Sequence, residues 1–292
     1  MSEQVEQIRT DAYERELRTA IELARRAGAA ALEFYGEPLQ VKYKGGDPGD
    51  PVTQADRVAN ELIVRGLREA FPEDGILAEE SVDDAERRMR HERVWAVDPL
   101  DGTKGFIAGT GDFAVQIGLS ERGESVLGVV FQPVPDVLYW AARGRGSWVL
   151  RPGLQPERLR VSERDEGSSI RLAASRAHRS PKMDAVVRAL QIGEEVRRDS
   201  VGVKVGLIAE RQCELYIHMS AGTKEWDTCA PEAILREAGG QMTDLWGEPL
   251  MYNSADVVNR NGLVATNGHL HPFVVSRLWP LLEQFGRTRV PD

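Results

Sequence analysis

The sequence predicts a mixed α/β or α+β globule, on three observations: two amphipathic helical patterns open the chain, short apolar runs between tight turns fill its middle, and strand and helix patterns alternate in its second half. From Tyr13 to Tyr35, apolar or small residues fall at Tyr13, Leu17, Ala20, Ile21, Ala24, Gly28, Ala31, Leu32 and Tyr35, the three-and-four spacing of one helix face. The stretch KYKGGDPGDP that follows is a loop by its Gly, Pro and Asp content. Ala55, Val58, Ala59, Leu62, Ile63, Leu67 and Phe71 build a second helix, which Pro72 closes. Gly75 to Ala78 and Val94 to Val97 are short apolar runs that lead straight into acids, as strands delivering side chains to a site would. Between Phe113 and Leu150 the runs FAVQIGL, SVLGVVF, DVLYWAA and SWVL alternate with ERGE, QPVP and RGRG, which reads as an antiparallel meander. The polar, proline-bearing stretch after Leu150 places a boundary near Arg160. It divides an α+β subdomain, 1–160, from an α/β subdomain, 161–292. In the second half IRLAAS and CELYIH read as strands. Lys182 to Leu190, Val201 to Ala209, Ala230 to Ala238 and about His271 to Phe285 read as helices.

Composition narrows the function. A chain of 292 residues, 41% apolar and 28% charged, has room for a sizeable core. Its formal charge of −9 argues against a diffuse basic surface for nucleic acid and leaves room for a local basic pocket, so the expected partner is a small molecule. Two cysteines, Cys213 and Cys229, are too few for a disulfide framework and read as buried thiols. The first residues lack the apolar core of a signal peptide, and no stretch has the run of apolar residues that a membrane span needs, so a cytoplasmic location is expected.

The densest chemical signal is WAVDPLDGTKGF. A strand is expected to end at Asp98, Pro99 to stiffen a turn, and Asp101 to follow with Gly102 and Thr103 behind it. Two carboxylates so close repel each other unless a cation compensates or one is protonated, and oxygen-only ligands suit Mg²⁺. An Asp-rich turn without a ligand explains the segment equally. Glu79 and Glu80 follow an apolar strand and are expected to face opposite ways, or else to form a solvated acidic loop. Asp227 is expected directly before a helix with Pro231 in its first turn, where capping is the structural explanation. Thr53 and Asp56 match a capping box.

All four elements occur in the order and context of the inositol-monophosphatase-like superfamily, and DPLDGT paired with a distant WDTCAPEAILREAGG is its signature, so the chain resembles a full-length member. The resemblance implies a layered α-β-α-β-α sandwich and a phosphomonoesterase. Glu79, Asp98, the backbone carbonyl of Leu100, Asp101 and Asp227 would hold two or three Mg²⁺ ions, with Li⁺ inhibitory. Asp56 and Thr103, with Glu79, would orient and deprotonate the attacking water, and the N–H groups of Gly102 and Thr103 would grip the phosphate. Homodimers are common in the superfamily.

Within it the chain is most similar to the 3′(2′),5′-bisphosphate nucleotidases. Lys104-Gly105-Phe106 resembles their continuation of the motif, Ser175 and His178 in RLAASRAHRS match a nucleotide-contacting segment in which Ala177 departs from the usual Ser, and Gly202 and Lys204 resemble the residues facing the 5′-phosphate. Ser200 is a weaker match. A bisphosphate needs a cation for the phosphate that is not hydrolysed, and Lys204, with Lys224 or Arg176, would supply it; a solvated helix face is the structural explanation of Lys204. Trp95 and Trp226 read as packing residues. The expected reaction takes 3′-phosphoadenosine 5′-phosphate to AMP, which in sulfur assimilation clears a by-product. The alternatives are an inositol-1-monophosphatase or broad sugar phosphatase that accepts fructose 1,6-bisphosphate, and a non-catalytic binding protein on the same fold.

Overall fold

The computed structural model describes residues 13–37, 41–43, 51–165, 169–176 and 180–291, among which the short strands β1, Lys42–Tyr43, and β2, Pro51–Val52, pair antiparallel with each other. Helix α1, Glu14–Leu32, buries Ala20, Ala24, Gly28 and Ala31 of the face that the spacing marked, and with them Leu23 and Ala27, which it did not. Helix α2, Gln54–Ala70, lies against it and buries Ala55, Ala59, Ile63, Val64 and Leu67. Gly66 of α2 lets the pair approach closely: a Cβ there would lie 2.4 Å from the Leu23 side chain of α1. Both helices cover one face of a seven-stranded sheet whose strands are β3 (Gly75–Ala78), β4 (Arg93–Asp101), β5 (Ala114–Glu121), β6 (Glu124–Gln132), β7 (Val137–Ala142), β8 (Gly146–Leu150) and β9 (Glu157–Leu159), adjacent in that order. Strands β3 and β4 are parallel, with the one-turn helix α3, Ala85–Arg88, between them in the chain. The antiparallel meander expected from Phe113 to Leu150 is β5 to β8, and antiparallel pairing extends it to β4 on one side and β9 on the other.

The polar stretch after Leu150 contributes β9 to this sheet, after which the chain enters a five-stranded one. That sheet runs β11 (Glu194–Arg197), β10 (Arg171–Ala174), β12 (Leu215–His218), β14 (Leu263–Thr266), β13 (Gln241–Thr243). Three of its strands, β11, β13 and β14, went unmarked in the sequence reading. Helices α6, Val201–Ala209, and α7, Glu225–Glu237, lie between the two sheets, and α5, Pro181–Ala189, and α8, His271–Gln284, cover the outer face of the smaller one. The result is the expected five layers, helices, sheet, helices, sheet, helices.

The central layer explains why α6 carries no polar face: every residue from Val201 to Ala209 is buried, Lys204 included. Helix α7 settles on the large sheet through two glycines paired across β5 and β6, Gly118 and Gly128. A Cβ at Gly128 would come within 2.1 Å of the Ala230 carbonyl oxygen, and one at Gly118 within 2.7 Å of Ala230 N. Absent side chains on the sheet therefore set the depth of α7, and with it the position of Asp227. Both cysteines are free and buried, as are Trp95 and Trp226. Among the described residues no helix is long and apolar enough to cross a membrane.

Candidate metal and phosphate site

Strand β4 does not end at Asp98. It runs on to Asp101, with a register shift in which Asp98 stands opposite Gln116 and Asp101 opposite Ala114, three steps on one strand against two on the other. In a regular strand residues three apart point to opposite faces, and one bulged residue turns both carboxylates to the same side. The bend is held locally by Leu100 N–H, which donates to Asp98 Oδ1 at 2.9 Å. The Leu100 side chain is buried among Ala31, Ala55, Phe106 and Phe113, so its carbonyl is the part that can serve the site.

Asp227 sits on the third residue of α7, and not ahead of the helix as the sequence reading had it; Pro231 lies past the first turn. Its Oδ2 accepts the N–H of Lys224 at 2.6 Å, so the capping role and the site role coincide. Pro231 lacks the N–H that would have bonded the Asp227 carbonyl. Asp98, Asp101 and Asp227 each offer an oxygen within 4.8 Å of the others, from two strand residues and a helix end that meet only in the folded chain. Glu79 joins them from the end of β3, its N–H donating to Val97 O, one residue before Asp98.

The electrostatics of this cluster are those of crowded, buried carboxylates that could hold a cation. Burial, then the Glu79, Asp101 and Asp227 carboxylates, drives Asp98 well above the usual carboxylate range. Burial, then the Glu79 and Asp101 carboxylates, push Asp227 up to about 7. Asp101 is raised by burial, with Ser200, Gly202 and Lys204 opposing it. Hard oxygen donors in this number, desolvated and mutually repelling, fit a divalent cation such as Mg²⁺.

Thr103 opens the short helix α4, Thr103–Ile107, after Gly102 in a left-handed conformation, φ 95°, where a Cβ would also lie 2.7 Å from the Asp112 carbonyl oxygen. The Thr103 hydroxyl lies 3.2 Å from both Asp56 Oδ1 and the Leu100 carbonyl. Asp56 Oδ2 is occupied by the N–H and hydroxyl of Thr53 at 2.8 and 2.6 Å, the capping box of α2. One carboxylate thus caps a helix and reaches Thr103 at once.

Lys204 is not on a solvated face. It is 2% exposed, its ammonium donates to Ser175 Oγ at 3.1 Å and to Asp199 O at 3.3 Å, and it lies 4.5 Å from the centre of the Tyr216 ring. Burial lowers its pKa, opposed by Asp101, Asp199 and Asp112. Gly202, expected to face substrate, instead gives its N–H to Asp101 Oδ2 at 2.9 Å and lies against Val130 and Gln116. Ser200, the weaker match, donates its hydroxyl to the same Asp101 oxygen. Lys104 is partly exposed, and its charge acts on Asp199. The Lys224 ammonium lies over the Trp226 ring. His178 lies outside the described residues.

Three residues escaped the sequence reading. Gln116 donates to Asp101 Oδ2 at 2.6 Å. Asp112, almost fully buried, accepts from Arg176 Nε at 3.0 Å and from Asp199 N–H at 2.8 Å, linking the two sheets beside Lys204. Arg88, buried against Asp83, bonds Asn253 and Ser254, whose N–H groups are held by Glu225 of α7, so the loop after Glu79 is tied to the helix bearing Asp227. The legible signal was for Gln116: one amide inside the apolar run FAVQIGL.

Such a cluster on such a fold defines a class. The model of the inositol monophosphatase family matches residues 12–283, and the chain belongs to that family. Among its relatives is the 3′(2′),5′-bisphosphate nucleotidase CysQ of Salmonella typhimurium strain LT2, 37% identical over 238 residues, covering 81% of this chain and 93% of that protein. An inositol-1-monophosphatase of Mesorhizobium japonicum is 33% identical over 258 residues, covering 85% and 92%. Among solved structures, CysQ from Bacteroides thetaiotaomicron superposes with a TM-score of 0.75 at 30% identity, covering 88% of this chain and 98% of that one.

Proposed function

We propose that this chain is a Mg²⁺-dependent phosphomonoesterase that removes the 3′-phosphate of 3′-phosphoadenosine 5′-phosphate, leaving AMP. The observation that carries the reading is the joining of two charge environments: a buried carboxylate cluster on Asp98, Asp101 and Asp227, and a buried lysine, Lys204, on the helix whose start binds Asp101. A cluster alone suits any phosphate ester; a desolvated cation beside it suits a substrate with a second anionic group. The similarity to CysQ proteins favours the same substrate.

Glu79, Asp98, the Leu100 carbonyl, Asp101 and Asp227 would hold the cation, which when bound supplies charge neutralisation at the phosphoryl oxygens and acidifies a nearby water. Thr103 orients the attacking water. As its oxygen bonds to phosphorus, a water proton passes to Thr103 Oγ while the threonine proton passes to Asp56 Oδ1, with Glu79 alongside. The bond from phosphorus to the ribose oxygen breaks opposite, and that oxygen takes up a proton from solvent water, to which Asp56 afterwards releases the one it received. The N–H groups of Gly102 and Thr103 face the phosphate, Lys104 and Ser175 line its approach, and Lys204 balances the retained 5′-phosphate. The same reading carries inhibition by Li⁺ at these oxygens and clearance of a by-product of sulfur assimilation.

Phosphate release from 3′-phosphoadenosine 5′-phosphate and from inositol 1-phosphate, side by side with Mg²⁺, tests the proposal. A preference for the nucleotide of about tenfold, roughly 1.4 kcal/mol of transition-state binding, is expected. A preference for the inositol ester would move the assignment to the inositol monophosphatases, and no hydrolysis of either would remove the enzymatic reading.

A further inference from the structure

Asp101 differs from the other carboxylates of the cluster in how completely one of its oxygens is used. Oδ2 takes three donors: Gln116 Nε2 at 2.6 Å, Ser200 Oγ at 2.5 Å and Gly202 N–H at 2.9 Å. A carboxylate oxygen offers about two lone-pair directions, so three donors fill it. Oδ1 is left to face the cluster. Two of the donors come from the start of α6, which belongs to the second half of the chain; the third comes from the middle of β5 in the first.

Gln116 is fully buried in a strand that is otherwise apolar at that point, a costly place for an amide without a purpose. Its reach follows from register. Asp101 stands opposite Ala114, and Gln116, two residues further on the same face, is its diagonal neighbour, a distance that a long side chain spans and a short one does not. The close approach of α6 is kept open by Gly202, where a Cβ would lie 3.1 Å from the Gln116 amide.

We propose that Gln116 and Ser200 are positioning residues for cation binding: by saturating Asp101 Oδ2 they fix that carboxylate in one orientation and make it a single-oxygen ligand. The inference rests on the metal reading given above. The helix that clamps Asp101 also carries Lys204 one turn later. Docking of α6 therefore completes the metal site and the cationic pocket together.

Mn²⁺ binding to the metal-free full chain, followed by calorimetry, tests this with the variants Gln116→Met, Ser200→Ala and Ser200→Thr. Methionine keeps the volume of glutamine and removes its donor. Loss of an outer partner of a ligand weakens metal binding by about 10- to 100-fold, so Gln116→Met and Ser200→Ala are expected to lose about tenfold in Mn²⁺ affinity and Ser200→Thr to recover it. In turnover, the half-activating Mg²⁺ concentration should rise in the first two variants while the substrate KM at saturating Mg²⁺ stays unchanged, a split that a general packing defect would not give. Wild-type Mn²⁺ affinity in both Gln116→Met and Ser200→Ala would overturn the proposal. Should Gln116→Met fail to fold, Ser200→Ala decides in the same way. A wild-type chain that binds no Mn²⁺ would instead remove the metal reading on which the inference stands.

Discussion

The carboxylate end of the site and its lysine end are both buried, and they balance their charge in opposite ways. At the carboxylate end burial and like-charge neighbours act in the same direction, and Asp98, Asp101 and Asp227 are all raised. At the lysine end burial is opposed by carboxylates, a hydroxyl, a carbonyl and an aromatic face around Lys204. The first arrangement is unfavourable unless a cation is bound, and the second is only partly offset, since burial still outweighs the surrounding carboxylates at Lys204. A buried group without its counter-charge is a statement about what binds.

Substitutions at the two ends should therefore fail differently. Asp98→Asn is expected to lower kcat by about 10³-fold while the circular dichroism spectrum and melting stay those of a folded chain, since it removes transition-state stabilisation and relieves repulsion. Near-wild-type turnover would break the assignment of the acidic end. Lys204→Met should raise KM for the bisphosphate by about 10- to 100-fold, the worth of one charge-assisted contact, and leave a 3′-monophosphate substrate little affected. An equal rise for both substrates would show that Lys204 only props α6.

Stability against pH sharpens the same contrast. With its folded pKa near 7 against an ordinary 3.8, Asp227 binds more protons in the folded chain than in the unfolded one across that window. Its contribution to stability accordingly falls as pH rises from about 4 to 7. Metal-free Asp227→Asn, which keeps an acceptor for Lys224 N–H and does not titrate, should melt higher than wild type at pH 8, with the advantage shrinking toward pH 5. Taking the difference between the two proteins cancels His271, buried between Thr243 and Thr266 with its pKa lowered to about 4, which acts in the opposite direction. A difference independent of pH would mean that Asp227 is ionised throughout. The smallest effect is on packing. Gly128→Ala forces a methyl against the Ala230 backbone and should cost about 1–3 kcal/mol in denaturant unfolding, with activity falling further than stability because α7 carries Asp227.

Much of this was legible before any fold was known, and the misses are instructive. The helix Val201–Ala209 was read with its observed ends, as was β3, because apolar pattern and turn residues agree there. Asp98 was placed at a strand end because proline usually stops a strand; here Pro99 lies within a bulge that continues to Asp101. The start of α7 was read five residues late, because Glu225, Trp226 and Asp227 carry no helical stripe of their own and are held by Lys224, Asn253, Ser254 and the sheet. Strands β11, β13 and β14 are short, and their pairing partners are distant in the chain.

By itself the sequence determined the mixed α/β class, the family signature and the acids that make the site, because those depend on periodicity and on residue type at short range; the layers were implied by the resemblance. Only the tertiary structure decided that Asp101 Oδ2 is filled by three donors, that Lys204 is buried, that Asp112 lies beside it, and that Arg88 ties the loop after Glu79 to the residues held by α7. These depend on a bulge that rotates a carboxylate, on two glycines that set the depth of a helix, and on donors brought together from opposite halves of the chain.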